Sequence, residues 1–242
     1  MPFTFSHPAI ILPLNYLPKK WISLTGLIIG SLTPDFEYFL RMRIKSNFSH
    51  TLLGIFWFDL PLGILLTFIF HNQVKNQLYK NLPKILSERF LNIKEVNWNK
   101  HFLQNWKIIV ISILVGAISH IFWDGFTHHD GFFVKTIPQL SKAIEINKFS
   151  IKTFKILQHL STLIGATTIV ISICKLPKIK NFKNKINPKY WIMVILITFS
   201  IFTLNTITSE NSKLIGNIIV SLITSGMIGI IIAPFFFNKE NG

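Results

Sequence analysis

A single cysteine, Cys174, stands in 242 residues, which excludes both a disulfide framework and a thiolate zinc site. Charge is scarce as well. Only 14% of residues are Asp, Glu, Lys or Arg, against about 25% in soluble domains. Acids are rarest, 10 against 25 basic residues, and none lies between positions 146 and 209. Arginine is nearly missing: Arg41, Arg43 and Arg89 are the only ones. Phosphate and base recognition favour the planar guanidinium fork. A net charge of +15 carried almost entirely by Lys therefore does not read as a nucleic-acid surface. The Lys bias, beside many Ile and Asn, fits AT-rich codon usage. Catalytic signatures are missing too: there is no Walker loop, G-x-S-x-G elbow, HExxH or dinucleotide fingerprint. Any nucleophile is then expected to be metal-activated water rather than Ser or Cys.

What the chain has is long uncharged runs. A spanning helix needs about 20 mostly apolar residues. Twenty uncharged residues separate Lys189 from Glu210, 25 separate Lys213 from Lys239, and 19 separate Lys155 from Lys175. From Ser46 to Phe70 only Asp59 and His50 interrupt the run, and a further one starts at Ile108 and reaches Thr127. A sixth is expected from Trp21 into Thr33-Pro34-Asp35. Phe3 to Leu17 lacks the basic start and cleavage site of a signal peptide, and reads as a short or re-entrant segment turning at Pro18-Lys19-Lys20. The expected fold is all-α, a multi-pass transmembrane bundle of six or seven spans.

Lys-rich loops mark the cytoplasmic side. Residues 175–189 hold six Lys and no acid, which places this loop inside. Alternation then puts the basic linker 71–107 inside as interfacial helices, and the loops near 41–49 and 130–155 outside. Residues 1–174 are expected to form a site-bearing membrane domain. Residues 175–242 would add the basic loop and a C-terminal two-span hairpin.

Ionisable groups within spans are expensive and point to function. All eight His lie at or before position 159, so the chemistry belongs to the first two-thirds of the chain. On this topology Asp35, His50, His120, Asp124, His128, His129 and His159 gather at one outward membrane level, with His7 joining if Phe3–Leu17 enters from outside. His120, Asp124 and His128, spaced by four, share a helical face, and imidazole beside carboxylate can hold a divalent metal. An Asp–His hydrogen bond between buried polar groups is the plainer reading of that spacing. Asp35, after Thr33-Pro34, and Ser49, before His50, also read as helix-capping residues. Asp59 reads as a packing or helix-break residue beside Pro61. His71 and His101 read as solvated. Gly26-xxx-Gly30 and Ser221-xxx-Ser225-xxx-Gly229 are small-residue rows that let helices approach.

The residues Met1-Pro2-Phe3-Thr4-Phe5-Ser6-His7-Pro8, Gly30-Ser31-Leu32-Thr33-Pro34-Asp35-Phe36-Glu37-Tyr38, Phe48-Ser49-His50-Thr51 and the HxxxD stretch ending in Thr127-His128 resemble the domain of unknown function 4184 family. That resemblance covers nearly the whole chain and implies a bacterial multi-pass membrane protein of unassigned activity. More distantly, the order of residues is similar to membrane-bound metal-dependent hydrolases and to zinc-dependent phospholipases C. On that resemblance His7, Asp35, His50, His120, Asp124 and His128 occupy metal-ligand positions. Two departures reduce the implied set to one or two ions. Those enzymes finish with HxxxE, whereas Leu163 stands four residues after His159, and some coordinate through an N-terminal Trp that has no counterpart here.

The expected function is a metal-dependent hydrolase, zinc first among metals, acting on a lipid or membrane-associated phosphoester. Asp124 and His159 are the expected catalytic residues. The expected partners are the bilayer and an anionic phospholipid substrate, with no nucleic acid. The location is a bacterial inner membrane, with the site near the extracytoplasmic face. The alternative is a non-enzymatic membrane protein, a transporter or assembly factor, using the His/Asp cluster as a proton relay or structural metal site. No sequence feature specifies an oligomeric state.

Overall fold

The computed structural model describes residues 3–18, 20–93, 95–146, 149–183, 185–209 and 214–237. Among them the chain is mostly helical. Its helices are α1 (Pro8–Ile11), α2 (Leu24–Gly30), α3 (Phe36–Arg41), α4 (Leu52–Asn81), α5 (Lys84–Phe90), α6 (Trp98–Thr127), α7 (Phe132–Thr136), α8 (Pro138–Ser141), α9 (Thr153–Cys174), α10 (Pro188–Thr208) and α11 (Ile215–Ile232). The helix α4 passes through two π-helical turns, Ile55–Asp59 and Phe70–Val74. Unforeseen strands Ala143–Ile146 and Phe149–Lys152 pair antiparallel, with Ala143 opposite Lys152.

Among the described residues, five segments are long and apolar enough to cross a membrane: Leu52–Asn81, Trp98–Thr136, Thr153–Cys174, Pro188–Thr208 and Ile215–Phe236. The chain is a membrane protein by that measure. Two expected membrane segments take another form. The run from Trp21 yields α2, whose seven residues reach about 10 Å at 1.5 Å per residue, far short of a bilayer. Ser23 starts it by accepting from the Gly26 N–H at 3.2 Å. Phe3–Leu17 is broken by Pro8 and Pro13 into α1 between the 3-10 turns Thr4–Ser6 and Leu12–Tyr16. Of its expected turn, Lys19 lies outside the described residues, as do Glu210, Lys213 and Lys239 at the expected span ends. The basic linker also starts later than expected, because α4 stays helical through His71 to Asn81.

The chain divides into two compact units, each discontinuous in sequence. The first comprises residues 1–34, 49–64 and 105–174. Its centre is a close crossing of α2 and α6. A Cβ on Gly26 would lie 2.9 Å from both the Ile109 carbonyl oxygen and Ser112 Cβ, and a side chain on Gly30 would collide with the Ile113 backbone. Gly116 answers from α6, pressed against the Leu27 carbonyl and the Ser31 N–H. The Ser23 N–H donates to Ser112 Oγ at 2.8 Å. Leu27, Ile109, Ile113 and Ala117 fill the core around this contact. The N-terminal segment lies on α9, where the Phe3 N–H donates to Thr162 Oγ1 at 3.0 Å and Gly165 leaves room for Ser6.

The second unit comprises residues 35–48, 65–104 and 175–242. Its core is the hairpin of α10 and α11. Gly229 sits against Val194 and Thr198, Asn205 Nδ2 donates to Ser221 Oγ at 2.8 Å, and Tyr190, Val194 and Ala233 are buried. In the loop after α3, Met42 takes a left-handed φ of 51°. The buried Glu37 carboxylate ties that loop down, accepting from Arg41, Ser46 Oγ and the N–H groups of Asn47 and Phe48.

Candidate metal centre

The site is built in the first unit around one carboxylate, Asp124. It lies in the last turns of α6, one turn beyond His120 and one turn before His128. His120 Nε2 lies 3.3 Å from Asp124 Oδ2, and His128 Nδ1 lies 3.4 Å from Oδ1. His7, at the start of α1, brings Nε2 to 3.2 Å from Oδ1. His50, just before α4, brings Nε2 to 3.5 Å from Oδ2. The His7 and His120 rings stack at 3.8 Å and 14°.

The far side of each ring fixes its chemistry. His120 Nδ1 is 2.8 Å from the Ser31 carbonyl oxygen, and His7 Nδ1 is 3.1 Å from the Thr4 carbonyl oxygen. A carbonyl can only accept, so Nδ1 of a neutral imidazole carries the hydrogen and Nε2 presents a lone pair. In that tautomer the lone pairs face the oxygens of Asp124; a ring that donates from Nε2 instead makes the His7 Nε2–Oδ1 hydrogen bond at 3.2 Å. Protonating both stacked rings instead would bury two cations face to face. A divalent cation among the Nε2 atoms and the carboxylate resolves the conflict, and imidazoles anchored this way are a recurrent feature of metal sites. The spacing agrees. Two ligands about 2.05 Å from a tetrahedral zinc lie about 3.3 Å apart, whereas hydrogen bonds to oxygen centre near 2.9 Å. Among the described residues, one atom each of His50, His120 and Asp124 lies within 4.8 Å of the others. Asp35, the acid of the 3-10 turn Thr33–Asp35 as its place after Thr33-Pro34 suggests, is wholly buried. This buried His/Asp group can hold a metal ion.

The two carboxylate oxygens divide the histidines. Oδ2 faces His50 and His120, while Oδ1 faces His7 and His128. Burial is uneven too. The side chains of His7 and His120 are fully enclosed, whereas those of His50 and His128 are 22% and 28% exposed. The centre is closed on one side and accessible on the other.

Three local expectations change. Thr51, rather than Ser49, caps α4 by accepting from the Gly54 N–H at 2.9 Å, and Ser49 Oγ instead meets His50 Nδ1 at 3.1 Å. His159 is exposed on α9, so it does not join the buried cluster. Asp59 is wholly buried, in the π-helical turn Ile55–Asp59. In the second unit His71 and His101 are half-buried rather than solvated, with His71 stacked on Trp98 at 4.0 Å. Sequence reading missed the anchoring carbonyls of Ser31 and Thr4, since a main-chain acceptor carries no residue-type signal. Gly26-xxx-Gly30 facing Gly116 was the only hint of such a close approach.

The fold and this centre define a helical membrane protein with a buried His/Asp group able to hold a metal. The chain belongs to the family described as Domain of unknown function (DUF4184), whose model matches residues 1–235. No curated protein and no solved structure shows significant similarity to it.

Proposed function

We propose that the protein is a metal-dependent hydrolase of a lipid or another membrane-associated phosphoester, with zinc as the first choice of metal. The observation that carries this reading is the set of anchored imidazoles whose Nε2 atoms meet around Asp124. His50, His120 and Asp124 would hold the ion, and His7 would fix the second oxygen of Asp124. An ion held there supplies Lewis acidity toward a phosphoryl oxygen and activates water.

The half-open side of the centre, formed by His50 and His128, is where a phosphoester would enter. His128 lends Nδ1 to Asp124, leaving a buried Nε2 with no hydrogen-bond partner among the described residues. It takes the proton-transfer role expected of His159. Hydrolysis consumes one water: the hydroxyl goes to phosphorus, the ester P–O bond breaks, and the departing alkoxide receives a proton through His128. The Lys-rich loops favour anionic phospholipid headgroups. The setting we propose is a bacterial inner membrane, with the site toward the extracytoplasmic face.

The test is elemental analysis of the purified protein together with turnover of a phospholipid and a chromogenic phosphoester. The expected result is bound zinc or manganese, lost on His120→Ala, and hydrolysis of at least one ester. Absence of metal overturns the proposal. Metal without turnover favours a structural or proton-relay site in a non-enzymatic membrane protein. A tag at Asp130 found in the cytoplasm overturns the orientation.

A further inference from the structure

Beside the metal centre, within the first unit, is a cavity of ≈ 350 Å³ between α6 and α9. Phe122, Trp123 and Phe126 line it from α6, Leu157 and Ser161 from α9, and Ile10 from α1. Its α6 wall is held by ring packing. Phe126 stacks on Phe133 at 3.9 Å and 12°, and Phe122 meets both rings edge-on at 5.4 Å. Phe133 can lie there because position 125 is glycine: a Cβ would come within 3.0 Å of its ring. The wall is therefore apolar and braced, and at ligand-pocket size, roughly 300–1,000 Å³, it accommodates part of a chain rather than a whole lipid.

Its place in the chain ties it to the centre. Trp123 precedes Asp124, Thr127 of the lining precedes His128, and Ile10 follows His7 by one helical turn. Both α6 and α9 belong to segments apolar enough to cross a membrane. The lining residues sit in the last turns of α6 and the first turns of α9, at span ends, where headgroup esters meet hydrocarbon. Around the cavity, α9 exposes Leu160, Leu163 and Ile164, so the surrounding solvent is lipid.

We propose that this cavity holds the hydrocarbon chain of a membrane glycerophospholipid whose phosphoester lies at the His/Asp centre. The inference rests on the hydrolase reading for the fate of the ester, and on the cavity alone for the chain. The experiment reconstitutes the full chain in phosphatidylglycerol vesicles doped with a phosphatidylglycerol carrying a diazirine on one acyl chain. After irradiation, adducts are mapped by residue. Labelling of Trp123, Phe126 and Leu157 is expected to exceed that of the exposed Leu163, Ile164 and Ile171 several-fold. Equal labelling of the two sets in the unaltered protein overturns the proposal. Ser161→Trp, which fills the cavity, is expected to lower the first set several-fold and leave the second unchanged; no decrease also overturns it. His120→Ala, which empties the metal centre, is expected to keep the labelling pattern. Selective labelling without turnover thus sinks the hydrolase reading alone, and turnover without selective labelling sinks this one alone.

Discussion

The crossing of α2 with α6 and the hairpin of α10 with α11 use the same packing device to different ends. Both seat small residues against a neighbouring backbone, Gly26, Gly30 and Gly116 in one and Gly229, beside the buried Ser221 and Ser225, in the other. In the hairpin the polar groups this brings together are neutral and satisfy one another, as with Asn205 Nδ2 donating to Ser221 Oγ. In the crossing, the approach at Gly116 puts the Ser31 carbonyl one helical turn from that glycine, against His120 Nδ1. Close packing alone is structural. It becomes a site where the freed carbonyl fixes an imidazole that faces a buried acid.

Removing that acid breaks the comparison most severely. Asp124→Ala is expected to lower metal affinity by more than the 10–100-fold typical of outer ligand partners, read as metal per chain by elemental analysis. Metal content equal to the unaltered protein would reduce the crossing to a second structural contact. The next effect is linkage. Zinc at 100 times its Kd should stabilise the unaltered protein by about 2.7 kcal/mol, measured as a shift in detergent-solubilised thermal unfolding, and leave Asp124→Ala unmoved. Backbone approach gives a third contrast. Gly30→Ala drives a methyl into the Ile113 backbone and should cost about 1–3 kcal/mol. Gly226→Ala, in a helix position with nothing within 4 Å, should stay within about 0.5 kcal/mol. The smallest effect belongs to the hairpin's own polar bond. Ser221→Ala is expected to cost about 0.6 kcal/mol and leave metal content intact.

The helical, membrane-embedded class was legible because it depends on uncharged run length, which the chain displays openly. The i, i+4 pair His120 and Asp124 was legible for a similar reason, since one helix sets its geometry. Capping was harder to place. Ser49 and Thr51 offer similar hydroxyls two residues apart, and only the backbone decides that Thr51 faces the Gly54 N–H. His71 looked solvated beside its basic neighbours. The π-helical turn Phe70–Val74 shifts the helical register, and His71 lies flat against Trp98. His159 lies exposed on α9 because proximity along the chain to Gln158, Ser161 and Thr162 does not set the face on which its ring lies.

Composition and run length settle the solvent and the residue types. Scarce charge and long apolar runs demand helices whose backbone groups are satisfied internally, and His and Asp within them are too costly to be idle. Only the tertiary structure decided which of them meet. His7, His50 and His120 come from separate stretches of chain, and their convergence on Asp124 depends on a glycine-lined crossing whose main-chain carbonyl no residue name announces.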